Sequence, residues 1–349
     1  MRAIVFHEQG GLDKLRLEDV PVPEIGPADV LIHVRACGVN RLDLRVREGK
    51  VGARVGLPHT PGSEVAGEIA GLGSQVSGLS EGQRVVVAPY LFCGHCEYCL
   101  TGEETMCIRG NIVGLSANGG YAEYVSVPAA NVVPIPEGVS FDEAAAVTLA
   151  ALTAWHALVT RAGIRPGEDV LIHSAGSGVG SAGIQIAKLS GARVLTTAGS
   201  DAKLNLATSL GADYGIDYSQ HDFAQEVRRI TGKRGVDLVL EHIGADTWEK
   251  SAASLSRNGR VVICGTTSGD ESNTNLWNLF AKQLAFIGSY GGTRAELRTV
   301  LKLVEEGRLR PVIDRVLPLE QAADAQRLME QRAQFGKLIL NPYNPTPTA

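Results

Sequence analysis

The chain has 349 residues, more than one ordinary hydrophobic core accommodates, so two domains are expected. Its 44% hydrophobic and 20% charged residues give a soluble globular balance, and no apolar run reaches the length of a membrane span. A net charge of −5 argues against a sequence-independent grip on nucleic acid or an anionic membrane.

Met1-Arg-Ala-Ile-Val-Phe6 reads as a first strand without a cleavable apolar stretch, so the cytoplasm is the expected compartment. Short β-prone runs follow through about residue 135. They are Ala3–Phe6, Val30–Arg35, Val65–Ile69, Arg84–Ala88 and Tyr121–Val127, punctuated by Pro21, Pro23, Gly26, Pro27, Gly71 and Gly73. Strands at this close spacing predict a compact barrel-like domain.

Four of the six cysteines crowd into this half as Cys93-x2-Cys96-x2-Cys99-x7-Cys107. In a reducing compartment such crowding points to metal before disulfides. Four thiolates satisfy a tetrahedral zinc and leave no open position, so the zinc is expected to be structural. The competing readings are an iron–sulfur cluster and unligated thiols. Ferredoxin-type spacing brings the fourth cysteine closer with proline behind it, whereas Ile108 follows Cys107. His95 is then left as a loop histidine.

The character changes at 142–158. Ser140 is placed to cap a helix, Glu143 sits at its third position, and Ala-rich sequence follows. From Asp169 strands and helices alternate. Strands are predicted at 169–174, Arg193–Thr197, Val236–Glu241, Gly259–Cys264 and Leu284–Gly288, and helices at Ala202–Leu210, Phe223–Thr231, Asp246–Leu255 and Leu276–Lys282. That alternation predicts a parallel sheet covered by helices on both faces. At its head the apolar run Val170–Ile172 leads into Gly176-Ser177-Gly178-Val179-Gly180, with an apolar helical face opening at Ile184–Lys188. Strand, glycine turn and helix N-terminus together suit a dinucleotide diphosphate: free N–H groups point outward and missing Cβ atoms permit close approach. A helix at Leu297–Glu306, short strands at Val312–Val316 and Lys337–Leu340, a helix at Gln321–Arg332 and a frayed Pro/Thr tail complete the chain.

Gly62-x-Glu64-x-x-Gly67, Gly119-Gly-Tyr-Ala-Glu-Tyr124, the Ala144–Leu158 stretch and Ala175–Gly180 resemble the medium-chain dehydrogenases/reductases, in order and over nearly the whole chain. That superfamily holds the zinc alcohol dehydrogenases and the quinone oxidoreductases. The resemblance implies an α/β Rossmann domain, a doubly wound parallel sheet, inserted in a β-rich GroES-like catalytic domain. Its boundaries are drawn as 1–149 and 292–349 for the catalytic domain and 150–291 for the Rossmann domain, with the active-site cleft between them. It also implies a homodimer or homotetramer, and it matches the cysteine spacing to the structural zinc lobe of zinc alcohol dehydrogenases.

Zinc alcohol dehydrogenases hold a second, open-site zinc through Cys, His and a further Cys or acid. By the resemblance these positions are Asn40, Ser63 and Leu149, which make no zinc site of normal strength. Cys37 stands three residues before Asn40 and reads as a small buried hydrophobe. A set improvised from His59, Glu64 and His156 is the alternative way to hold a metal there; His59 can also line the substrate cleft. Losing the zinc changes the expected chemistry. Oxidising an alcohol needs something to lower the hydroxyl pKa. Reducing a C=C conjugated to a carbonyl needs a hydrogen-bond donor at the enolate oxygen and a proton source. Asn40 resembles the Asn of the quinone oxidoreductase branch, and reads equally as a loop cap. Asp43 is expected to orient neighbouring loops, Arg41 or Arg47 to face the cleft, and Thr153 to lie near the nicotinamide carboxamide.

A cofactor acid is expected after the second Rossmann strand, where the resemblance places Ala198. Ser200, Lys203 and Tyr218 resemble residues that hold a 2′-phosphate in NADPH-linked relatives. Asp201 is the rival as a displaced ribose acid, and the preferred N-cap of the following helix. His242-Ile-Gly244 and Gly265-Thr-Thr-Ser268 end strands where the nicotinamide is expected, and Ser289 and Tyr290 are expected at a subunit edge. The expectation is an NADPH-dependent reductase of quinones, enones or enoyl thioesters, with one structural zinc, a small-molecule substrate, and no nucleic-acid or membrane partner. Its alternatives are a zinc-type alcohol or carbonyl dehydrogenase with non-standard ligands, and an NADPH-binding protein without turnover.

Overall fold

The computed structural model describes residues 1–52 and 55–343. The chain divides into two compact units, one of Met1–Leu149, Gly292–Gly307 and Ile313–Ala349, the other of Ala150–Gly291 and Arg308–Val312.

The second unit holds six parallel strands in the order Tyr214–Asp217, Arg193–Ala198, Asp169–Ile172, Val236–Glu241, Leu255–Ile263 and Ala285–Gly288. Numbered along the chain this is the doubly wound order 3-2-1-4-5-6. Asp169–Ile172 is central and wholly buried, which is why it reads as an unbroken apolar run. Leu171, Leu195, Val239 and Val261 build the core with Phe223 and Val227 from the helix Phe223–Ile230. The edge strand Tyr214–Asp217 escapes sequence reading because it buries only Ile216 and leaves no apolar alternation.

Three details differ from expectation. The helix after the glycine turn spans Gly178–Leu189, six residues earlier than its apolar face, because the Ser177 side chain caps it at Gly180 N–H, 2.8 Å. The next helix, Asp201–Ser209, is capped by Ser200 and not by Asp201, which occupies its first turn. The predicted helix 142–158 comprises Phe141–Val147, Ala150–Trp155 and a π-helical stretch His156–Arg161. Ser140 and Glu143 do form the reciprocal cap at its start.

The first unit is organised on a mixed sheet ordered Ile313–Pro318, Lys337–Asn341, Asp29–Gly38, Glu64–Leu72, Arg84–Val87 and Val132–Pro134, with Tyr124–Pro128 also pairing with Asp29–Gly38. Asp29–Gly38 is therefore the hub, alternating half-buried and buried residues before its last three close over completely. Ile32, Val34, Cys37, Val65, Ile69, Val85 and Leu338 make the core around it. The segment Arg308–Val312, drawn from sequence with the catalytic domain, packs instead with the nucleotide unit. Gln185 donates to Arg310 O at 2.9 Å and accepts from Arg310 N–H at 2.9 Å. The Pro/Thr tail beyond Tyr343 lies outside the described residues. Among the described residues no single helix is long and apolar enough to cross a membrane.

Candidate active site and metal lobe

The glycine turn is held from behind by a buried polar chain. Thr197 hydroxyl accepts Ser174 N–H at 3.1 Å and lies 3.2 Å from His173 Nδ1; His173 Nε2 lies 2.8 Å from Ser251 Oγ, which donates to Glu241 at 2.6 Å. One assignment satisfies all of these: Thr197 donates to Nδ1, and a neutral His173 donates from Nε2 to Ser251. Burial pushes His173 down to about 4, consistent with the neutral ring. Gly180 is required because a Cβ there would run into Ser174 O. Gly176 lies in the turn before the cap and Gly178 and Val179 open the helix, while the Ser177 hydroxyl accepts the capping N–H.

At the end of Arg193–Ala198 the chain presents Ala198, Gly199 and Ser200 with no carboxylate on the strand. Tyr218 N–H donates to Ala198 O at 3.1 Å, and its exposed ring lies over Gly199, where a Cβ would be 2.8 Å from the phenol oxygen. Lys203 follows in the first turn of Asp201–Ser209, its N–H bonded to Ser200 Oγ at 3.4 Å. The nearest strand carboxylate, Asp217, accepts from Ser219 N–H and hydroxyl at 2.8 and 2.7 Å.

In the first unit Asn40 and Leu149, two of the three predicted positions, are linked through Glu64 and a residue that sequence reading missed. Lys337, on Lys337–Asn341, is buried, and its Nζ lies 2.7 Å from Asn40 Oδ1, 2.8 Å from Val39 O and 2.7 Å from Glu64 Oε2. Glu64 Oε1 in turn accepts Leu149 N–H at 3.0 Å. A Cβ at Gly38 would enter the Glu64 carboxylate, so the glycine makes room for it. Ser63 is fully buried, and its hydroxyl has no hydrogen-bond partner among the described residues. The signal for Lys337 was present, since a lysine in Gly336-Lys-Leu-Ile-Leu340 opens a buried strand, but its partners stand some 300 positions away.

Asn40 occupies the N-cap position of the helix Arg41–Glu48, and Asp43 reaches back to its N–H at 2.8 Å. Asp43 is fully buried and also accepts from Tyr121 Oη at 3.0 Å. Burial raises it to about 7, against the lowering effect of those two bonds. Cys37 is buried as expected, with its thiol pushed well up by burial. Arg47, expected to face the cleft, is instead buried and paired with Glu330 at 2.7 Å and Glu48 at 3.1 Å. His59 is buried, edge-on to Phe6 and 3.1 Å from Gly114 O, so its Nε2 is already engaged.

The four cysteine sulfurs of the lobe lie within 4.8 Å of one another. Cys93 and Cys99 are 3.9 Å apart and Cys96 and Cys99 3.4 Å, close to the about 3.8 Å edge of a tetrahedral zinc–sulfur site. The His95 N–H lowers the Cys93 thiol to about 6, while burial pushes Cys99 up to about 11. Adjacent thiols thus resist ionising together unless a cation joins them. His95 is a loop residue bonded to Cys93 O at 2.7 Å and to Arg109. Glu104 anchors the lobe by accepting Arg294 N–H at 2.8 Å, with the Arg294 guanidinium 4.4 Å over Phe92. Among the described residues this is the one group of three or more His, Cys, Asp or Glu ligand atoms gathered for a metal.

The sequence matches the alcohol dehydrogenase GroES-like domain family over residues 26–137 and the zinc-binding dehydrogenase family over residues 178–306. It is 36% identical to a NAD-dependent alcohol dehydrogenase of Sulfolobus acidocaldarius, covering 97% of this chain and 99% of that protein. It is 33% identical to a quinone oxidoreductase of Rattus norvegicus, covering 97% of each. The chain belongs to the medium-chain dehydrogenase/reductase superfamily. A crystal structure of a NAD-dependent alcohol dehydrogenase superposes with a TM-score of 0.94 at 45% identity, over 98% of this chain and 99% of that one.

This medium-chain dehydrogenase/reductase is therefore an oxidoreductase with a GroES-like and a Rossmann domain. Of its other expected site residues, Thr153 is buried on Ala150–Trp155. Gly265 follows Leu255–Ile263, its Cα facing His242 so closely that a Cβ would be 3.3 Å from His242 O.

Proposed function

We propose that this enzyme reduces an activated double bond, in a quinone, an enone or an enoyl thioester, using NADPH and no catalytic metal. The observation that carries the reading is the network of Asn40, Lys337 and Glu64. The positions that hold the open-site zinc in zinc alcohol dehydrogenases carry Asn, Ser and Leu, a donor set unsuited to zinc, and an ammonium stands among them. When bound, NADPH supplies the hydride. Asn40 Nδ2 donates to the carbonyl oxygen of the substrate as negative charge builds there. Asp43 is a positioning residue, fixing the Asn40 backbone. Thr153 and Gly265 are assigned to the nicotinamide end.

Gly176, Ser177, Gly178, Val179 and Gly180 are assigned to the diphosphate, and Ser200, Lys203 and Tyr218 to the 2′-phosphate. A hydroxyl, an ammonium and a phenol suit a dianion, and the strand end lacks the acid that would repel it. Ser200→Ala with Lys203→Ala is expected to weaken NADPH binding about tenfold or more and NADH little. Equal weakening of both refutes the assignment.

Cys93, Cys96, Cys99 and Cys107 are assigned to one structural zinc, whose free thiols suit the reducing cytoplasm. The rival reading, a zinc-type alcohol dehydrogenase, is favoured by the names of two relatives. Metal analysis separates the two: one zinc per chain supports the proposal, and two overturn it. A panel of quinones, enones, aldehydes and alcohols followed by nicotinamide absorbance tests the reaction, and NADPH binding without turnover on any of them leaves a binding protein. A homodimer or homotetramer is proposed because Ala285–Gly288 is a sheet-edge strand beside the exposed Trp277, Phe280 and Tyr290. Sedimentation of a monomer sinks it.

A further inference from the structure

We propose that Lys337 is the positioning residue of the reaction centre, a built-in cation that locks the Asn40 amide with its nitrogen as the donor. The inference rests on the reading of Asn40 as the group that meets the substrate oxygen.

The chemistry of the partners fixes the arrangement. An ammonium has three hydrogens and no acceptor, and the three of Lys337 face Val39 O, Asn40 Oδ1 and Glu64 Oε2 at 2.7–2.8 Å. The oxygen of the Asn40 amide must therefore turn to Lys337, because its nitrogen would place donor against donor. Asn40 Nδ2 is left as the end that does not face the lysine. One of its hydrogens has Gly38 O at 3.4 Å, and none of the described residues takes the second. Asn40 Oδ1 is thus turned to the lysine, so the end of this side chain left for a substrate is its donor.

The placement is rigid on every side. Val39 N–H donates to Leu338 O at 2.9 Å, and Gly38 and Cys37 pair in register with Ile339 and Leu340. The strand that carries Lys337 and the strand that leads into Asn40 are therefore hydrogen-bonded neighbours. Asp43 fixes the Asn40 N–H from the other side. Glu64, itself tied to Leu149 N–H, balances the ammonium charge in a place with almost no water. The cation also polarises the amide, which strengthens Nδ2 as a donor to a forming enolate oxygen.

The test compares Glu64→Gln with Glu64→Gln/Lys337→Met, so that removing the lysine does not strand a buried carboxylate. The double variant is expected to lose about tenfold or more in kcat relative to Glu64→Gln. Its Kd for NADPH, read by nucleotide fluorescence, is expected to stay within about twofold. In an Asn40→Ala background the same lysine change is expected to cost nothing further. An unchanged kcat, an additive loss in the Asn40→Ala background, or a parallel rise in the NADPH Kd overturns the proposal. A second readout needs no turnover: the Asn40 side-chain amide resonance of 15N-labelled protein is expected to shift and broaden in the double variant. If it does so while wild-type protein reduces nothing in the panel, the proposed reaction falls and the positioning role of Lys337 stands. An unmoved resonance overturns the role itself.

Discussion

The first unit contains two places that the resemblance to zinc alcohol dehydrogenases marks as metal positions, and their side chains have opposite character. The lobe of Cys93, Cys96, Cys99 and Cys107 gathers four sulfurs with no cation of its own. The cluster of Asn40, Ser63 and Leu149 has no metal-binding donors and carries a cation in its own chain, the Lys337 ammonium balanced by Glu64. One is a set of ligands that becomes stable by taking up a charge from outside; the other is already neutral and closed.

The largest expected effect is on the lobe. Cys96→Ser removes one of four thiolates, and zinc content by atomic emission is expected to fall from one per chain to near none. The lobe loses thermal stability while NADPH affinity stays, because the glycine turn belongs to a different unit. Unchanged zinc content breaks the contrast between the two places.

Next comes Asn40→Ala, which takes the proposed donor from the closed cluster. It is expected to lower kcat about 10²-fold with zinc content unchanged. Loss of zinc together with activity would mean that Asn40 serves a metal after all.

The smallest effect concerns Asp43, the buried acid next to Asn40. Its carboxyl sits at about 7 in the folded protein because burial penalises the charge. An aspartate in the unfolded chain titrates near the ordinary 3.8. Between these values the folded state holds the extra proton, so stability falls as pH rises toward 7 and is fully recovered below the unfolded value. Asp43→Asn is expected to flatten that part of the Tm against pH profile relative to wild type. Parallel profiles would show that the acid is already ionised inside the cluster.

How much was legible depended on the range of the interaction. The five strands Val30–Arg35, Val65–Ile69, Arg84–Ala88, Arg193–Thr197 and Val236–Glu241 announce themselves by local apolar runs, and the structure forms strands at all five. The reciprocal cap of Ser140 and Glu143 was equally readable, since its partners are three residues apart. The start of Gly178–Leu189 was not, because glycines in a first turn look like a loop until Ser177 is seen to cap them. Asp201 and Ser200 are both good caps, and only the extended backbone of Ser200, with φ −164° and ψ 152°, decided between them.

The sequence by itself determined the two-part order of the chain, the turn that suits a diphosphate, and the four-cysteine register, because each is written within a few turns of chain. It also placed Asn, Ser and Leu at positions 40, 63 and 149, a side-chain set with little affinity for zinc. The charge that meets Asn40 and Glu64 was decided only by tertiary structure. A sheet hydrogen-bonds the C-terminal strand Lys337–Asn341 against Asp29–Gly38 and so brings an ammonium to an amide some 300 residues earlier. Local pattern carries no information about such a pairing. Burial makes it decisive, since a lysine out of water must find oxygens for all three of its hydrogens, and Val39, Asn40 and Glu64 are where it found them.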